Sequence, residues 1–263
     1  MTIRQTSALG AAALLLAAPL PAQETRATQT RAAQLADSAR LAVEAAVERG
    51  DPASLEASLA FVERALALHP GDPMLRHYHG YALYRAGTAA MGRGAAAARP
   101  YFDRAAEVFE SLAAGRTIPE THALLASVYG MQIATSRVGP IAGMRLGPKS
   151  SATMERAVEA GPRNPRVWTL RGISALNTPK AFGGGVERAE EYLKQALAFF
   201  AADSAAPPLP AWGRADAHAW LGQVYAKQGK RDLARAEYQA ALTHWPRNPW
   251  ITRTLLPRLD DPR

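Results

Sequence analysis

Small and large apolar residues recur along this chain three and four positions apart, the spacing of one face of an α-helix. Three Ala-rich runs carry the pattern most clearly: Ser58 to His69, Ser150 to Gly161, and Ala234 to Trp245. Within them the stripes are Ser58, Val62 and Ala65; Ser150, Met154 and Ala157; and Ala234, Tyr238 and Ala241. Small residues let a second helix approach, and the larger residue of each stripe fills the space beside them. Each run stops at nearly the same punctuation, Pro70-Gly71-Asp72-Pro73, Pro162-Arg163-Asn164-Pro165 and Pro246-Arg247-Asn248-Pro249. Proline lacks the backbone donor a helix needs and restricts the residue before it, so each motif ends one helix and opens the next.

The helix ahead of each run has a signature of its own. Near the C-terminus the order is Leu221-Gly222, Tyr225, Gly229, Ala234, Tyr238, Ala241 and Pro246. This series resembles one tetratricopeptide repeat through the whole unit of roughly 34 residues. Less complete copies follow the same order: Gly80 and Leu83 with Ala105, Phe109 and Leu112; Leu125-Ala126 and Tyr129 with Ser150, Met154, Ala157 and Pro162; and Trp168, Gly172 and Ala175 with Ala189, Leu193 and Ala196. The N-terminal pair, roughly 26–69, lacks a clean first helix and reads as a degenerate or capping unit.

The resemblance implies an all-α fold, a right-handed α-solenoid of about five helical hairpins over residues 23–263, at about 26–69, 73–114, 119–161, 165–201 and 211–245, with a cap helix at 248–259. A single hairpin is too small to bury its own apolar stripe, so neighbours stack into a continuous core. In the family the first helices line a concave wall that holds peptides, helices or small ligands, and the same is expected here. His77, Tyr81, Tyr84 and Arg85 share that side of their helix and form an aromatic and cationic cluster able to stack on a ligand or hydrogen-bond to it. The alternative is that they pack against neighbouring helices.

The chain departs from the family where the two helices of a hairpin join. Three hairpins carry extra residues there: Gly87 to Pro100; Ser136 to Pro140, continuing through Arg145 to Lys149; and Asn177 to Gly185. Equivalent turns of a solenoid emerge on one edge, so these stretches are expected to cluster as glycine-rich loops bearing Arg or Lys. Loops on a rigid scaffold are where binding residues concentrate, which makes Arg137, Arg145, Lys149, Asn177, Lys180 and Phe182 candidates for a binding rim. Solvated spacers are the alternative.

Two motifs are set aside. Gly147-Pro148-Lys149-Ser150 is superficially like a phosphate-binding loop, but a proline separates glycine from lysine and no strand precedes it. His77 and His79 lie two apart on a helix, facing nearly opposite ways, which argues against a chelating pair; His79 reads as a core residue. There is no His-Glu-x-x-His pair, no Gly-x-Ser-x-Gly elbow and no cysteine in the chain, so neither catalytic chemistry, nor a metal site, nor a cofactor is expected.

Residues Met1 to Ala22 run from Arg4 through an apolar stretch, Ala8 to Ala18, to Pro19-Leu20-Pro21-Ala22, the order of a signal peptide cut near Ala22. The apolar stretch is shorter than the roughly 20 residues of a membrane-spanning helix. A periplasmic or secreted protein is expected, to which the lack of cysteine is no handicap. The formal net charge of +8 favours partners with acidic groups. The leading expectation is a non-enzymatic scaffold for a protein or peptide, with no nucleic acid partner and no transmembrane segment. A small anionic ligand, as in a periplasmic binding protein associated with solute transport, is the second reading.

Overall fold

The computed structural model describes residues 20–260, with side chains from residue 28 onward. The expected signal segment thus lies almost entirely outside the described residues. Helices α1 (Leu20–Arg49) and α2 (Pro52–Leu68) are followed by α3 (Pro73–Ala90), α4 (Ala95–Ala113), α5 (Pro119–Ala134), α6 (Gly139–Ala160), α7 (Pro165–Asn177), α8 (Val186–Phe200), α9 (Arg214–Lys227) and α10 (Arg231–His244). A π-helical turn, Ile251–Leu255, runs into the short α11 (Leu256–Asp260).

The punctuation motifs act through their third and fourth residues. Asp72 accepts from Leu75 N at 2.8 Å, and Asn164 accepts from Arg166 N and Val167 N, so each caps the helix that follows while proline takes its first turn. Asp51 with Pro52 does the same for α2. A capping side chain satisfies amides the helix itself cannot, and proline gives up a donor that has no partner there.

Helices α3–α4, α5–α6, α7–α8 and α9–α10 pack as hairpins, and the first helices α1, α3, α5, α7 and α9 contact one another in chain order. One large apolar core runs through the stack from Ala36 to Leu259, beside a small separate cluster of Ala196, Phe200 and Ala217. In three of the hairpins, α3–α4, α7–α8 and α9–α10, a glycine on the first helix lets the second approach closely. A Cβ on Gly222 would lie 2.4 Å from the Tyr238 ring, and on Gly80 or Gly172 it would lie 2.6 Å from Phe109 or Leu193. The N-terminal pair, expected to lack a clean first helix, instead has the longest one, the 30-residue α1.

Second helices pack on the next hairpin's first helix at α2–α3, α4–α5 and α8–α9, whereas α6 and α7 meet far less. Arg171 reaches Glu155 across that junction at 2.7 Å. The sequence expectation of three glycine-rich loops needs correction as well. Residues of the first stretch extend α3 and begin α4, with a short 3-10 turn, Met91–Arg93, between them. Most of the second is the beginning of α6, and only Thr135–Val138 is non-helical. The third keeps its loop, with a 3-10 turn at Lys180–Phe182. Pro148 is tolerated inside α6 on the exposed side of the helix, where the carbonyl it leaves unbonded is not sealed in a core.

Candidate functional site

Two groups of residues were expected to bind, one along α3 and one along the edge where hairpins turn. The structure places the α3 group in the interior. His77 is buried, shares a 2.9 Å hydrogen bond with Thr121 Oγ1, and meets Tyr78 edge-on with ring centroids 5.3 Å apart. Burial pushes its pKa down to about 3, because a charged imidazole there would lose its hydration. His79 turns elsewhere, with Nε2 3.5 Å from Glu63.

Tyr81 stacks on Trp212 at 4.8 Å between centroids, and Tyr84 is tilted against Phe102 at 6.3 Å. Burial pushes the Tyr84 hydroxyl up to about 12. Arg85 pairs with Asp216 at 3.1 Å and lies over the Trp245 ring, 5.9 Å from its centroid. Burial alone would lower the Arg85 guanidinium, but Asp216, Tyr81 and Tyr84 together hold it above its ordinary value.

Other parts of the chain face these residues: Thr121 of α5 at His77, Phe102 of α4 at Tyr84, Asp216 of α9 at Arg85 and, at Tyr81, the linker between α8 and α9. The Tyr78 hydroxyl donates to Pro208 O at 2.5 Å, the Ala211 amide donates to Glu44 at 3.1 Å, and Trp212 is buried against Tyr81. At His77, Tyr81 and Tyr84 the side of α3 expected to be an open wall is therefore covered from within. Sequence reasoning missed Trp212 and Asp216, whose relation to α3 spans some 130 residues of chain.

At the edge, Arg137 lies exposed in the α5–α6 connection, and Arg145 and Lys149 are exposed on α6 one turn apart. Lys149 Nζ stands 5.7 Å from the centroid of the Tyr129 ring. Asn177 ends α7 and donates back to Ile173 O, while Lys180 is paired with Glu187 at 3.0 Å. Phe182 is exposed.

The first and second stretches meet in a cleft of about 270 Å³ between α4, α5 and α6. Its walls combine Arg99, Asp103, Gln132 and Ser136 with Val138, Ile141, Ala142 and Leu146, and Arg145 stands at the margin. Asp103 accepts from Gln132 at 2.7 Å and pairs with Arg99 at 3.4 Å. Among the described residues Arg145 has no acidic partner, which leaves one uncompensated cation beside an apolar wall. The third stretch contributes nothing to this cleft. Arg99, Asp103 and Gln132 were not foreseen as site residues. Gly147–Ser150 lies within α6 and forms no loop, and no group of three His, Asp or Glu side chains suited to a metal occurs among the described residues.

No family model matches the chain, and no curated protein matches it. Two solved structures share its architecture. The HusA haemophore from Porphyromonas gingivalis is 22% identical, with 77% of this chain and 93% of that one covered at a TM-score of 0.56. TTC0263, a thermophilic TPR protein in Thermus thermophilus, is 24% identical, with 79% and 91% covered at 0.54. The chain is an all-helical solenoid. Stacked hairpins order the solenoid in chain sequence, and no described helix in it is long and apolar enough to cross a membrane.

Proposed function

We propose that this chain is an exported, non-enzymatic scaffold of the tetratricopeptide type, which holds an acidic segment of a protein or peptide at its hairpin edge. The observation that carries this reading is the cleft between α4, α5 and α6, where Arg145 faces no carboxylate of its own while Arg99 is compensated by Asp103. An aspartate or glutamate of a partner supplies the missing charge, and its neighbours cover Val138 and Ile141. Repeat scaffolds bind through extended surfaces of this sort. The N-terminal run from Arg4 through Ala18 supports export.

Cleft size bears on the second reading, a receptor for a small anionic ligand. About 270 Å³ is below the usual range for drug-sized ligands, roughly 300–1,000 Å³, and suits one side chain of a longer partner better. Haem carriage, which the name haemophore states of HusA, finds no histidine in the lining here.

The test is capture of partners from the native envelope fraction by the parent chain and by Arg137→Glu/Arg145→Glu/Lys149→Glu. Capture is expected to fall at least about tenfold and to lose most of its salt sensitivity. Equal capture by both proteins removes the edge from the reading. A small molecule that co-purifies with the parent in native mass spectrometry, and is absent from the variant, favours the receptor.

A further inference from the structure

Half of the large apolar side chains left exposed in the described residues lie around the start of α6 or in the Lys180–Phe182 turn: Val138, Ile141, Met144 and Phe182, four of eight. Ile141 is 61% exposed, Met144 74% and Phe182 79%. They project from two separate elements, the beginning of α6 and the Lys180–Phe182 turn, and these belong to consecutive hairpins. Val138 and Ile141 border the cleft, whereas Met144 and Phe182 stand out from it and line no groove.

Along the first half of α6 the charge is one-sided, while Asp103 across the cleft is paired with Arg99 and Glu187 near Phe182 with Lys180. From Thr121 to Met154 there is no Asp or Glu, while Arg137, Arg145 and Lys149 fall in that interval. On the outer face of α6 the order is Ile141, Met144, Arg145, Pro148, Lys149, which interleaves apolar tips with cations. Inter-hairpin packing is weakest at the α6–α7 junction, and these five residues of α6 are exposed. Apolar tips ringed by basic side chains are the pattern of segments that settle at a lipid interface, where acyl chains take the tips and anionic headgroups the cations.

We propose that the first half of α6 and the Lys180–Phe182 turn dock this chain on an anionic lipid surface, with Ile141, Met144 and Phe182 entering the headgroup boundary and Arg137, Arg145 and Lys149 facing lipid phosphates. A peripheral contact of this kind needs no spanning helix. It also turns the neighbouring cleft toward partners held close to the same membrane. The inference shares Ile141 and Arg145 with the acidic-peptide cleft and is told apart from it by Met144 and Phe182, which are not part of the lining.

The experiment uses the full chain, so that the N-terminal segment is common to every protein compared. Vesicles of phosphatidylcholine alone, and of phosphatidylcholine with phosphatidylglycerol, are sedimented with the parent and with Met144→Glu/Phe182→Glu. The parent is expected to partition onto the phosphatidylglycerol vesicles at least about tenfold better than the variant, with both proteins equally helical by circular dichroism. Met144→Trp read against brominated lipids reports the tip itself: quenching beyond that of the parent's own tryptophans is expected.

Partition that is indifferent to Met144→Glu/Phe182→Glu overturns the proposal, as does partition without quenching at Met144→Trp, or equal partition onto uncharged vesicles. A blue shift at Met144→Trp produced by a captured protein and by no vesicle also overturns it, and assigns the patch to that protein. Equal peptide capture by the parent and by Arg137→Glu/Arg145→Glu/Lys149→Glu, with vesicle binding of the parent intact, refutes the scaffold reading and leaves this one standing.

Discussion

His77 sits where an imidazole is held neutral, and this gives the protein a pH dependence with a definite sign. Its folded pKa of about 3 lies below the ordinary value of 6.5. As pH falls below about 6.5, the unfolded chain gains a proton that the folded chain refuses, so stability is lost by about 1.4 kcal/mol per pH unit. The contribution is complete above 6.5 and gone near 3. His77→Phe keeps an aromatic ring beside Tyr78 and Phe109 but removes the proton. Its urea midpoint is expected to fall less than the parent's between about pH 7 and pH 4.5, the difference reaching about 2 to 3 kcal/mol; equal losses would show that His77 is not the buried base. At this scale the sequence was readable where partners repeat. Gly222 with Tyr238, Gly80 with Phe109 and Gly172 with Leu193 stood out as a recurring series, and each proves to be a contact between the two helices of a hairpin. The setting of His77 was not readable, because Thr121 belongs to the next hairpin and no spacing rule connects the two.

Among the elements, the linker between α8 and α9 does what a ligand was expected to do. Trp212 covers Tyr81, and the backbone on either side of Pro210 meets Tyr78 and Glu44. Trp212→Ala is expected to cost about 3 to 5 kcal/mol, as for other large aromatic truncations in a core, and to raise amide hydrogen exchange in α3 ahead of the other helices. Unchanged protection in α3 would mean that the linker lies on the stack without sealing it. A proline-rich stretch just ahead of the clearest repeat carried no pattern to suggest this, since apolar periodicity reports which face of a helix is buried and is silent on irregular chain. The extra residues of α6 misled for a related reason. Gly and Pro are breakers by rule, yet those nearest the start of α6 lie in its first turns or on its less buried side, where helix formation costs less than it would in a packed interior.

Across the molecule, the two ends of the stack meet. Asn248 accepts from Trp250 N at 3.1 Å and so caps the last helical segment, and its amide donates to Glu48 O at 3.2 Å and Val47 O at 3.3 Å at the end of α1. Gly50 makes this approach possible: its φ is +65°, and a Cβ there would stand 3.0 Å from the Asn248 amide and from Pro249. The repeating Pro-x-Asn-Pro motif announced a helix boundary at Asn248 but not its second role, because its partners lie about 200 positions earlier. Arg85 and Asp216 add a tie between α3 and α9. Unfolding of the parent is expected as one transition, with far-ultraviolet circular dichroism and tryptophan fluorescence coinciding. Asn248→Ala is expected to cost about 1 to 3 kcal/mol through the lost cap and the carbonyls left unpaired, and to separate the two signals as the terminal hairpins fray first. Coincident curves in that variant would show that the seam is not what makes unfolding concerted.

A seam between first and last units also constrains how such a chain can change. Open arrays of hairpins tolerate one more or one fewer unit, because each touches only its neighbours. Here a duplicated hairpin would carry Asn248 away from the carbonyls of Val47 and Glu48 and leave Gly50 facing solvent. The molecule in effect counts its own units, and a variant with one hairpin more or fewer is expected to lose this seam.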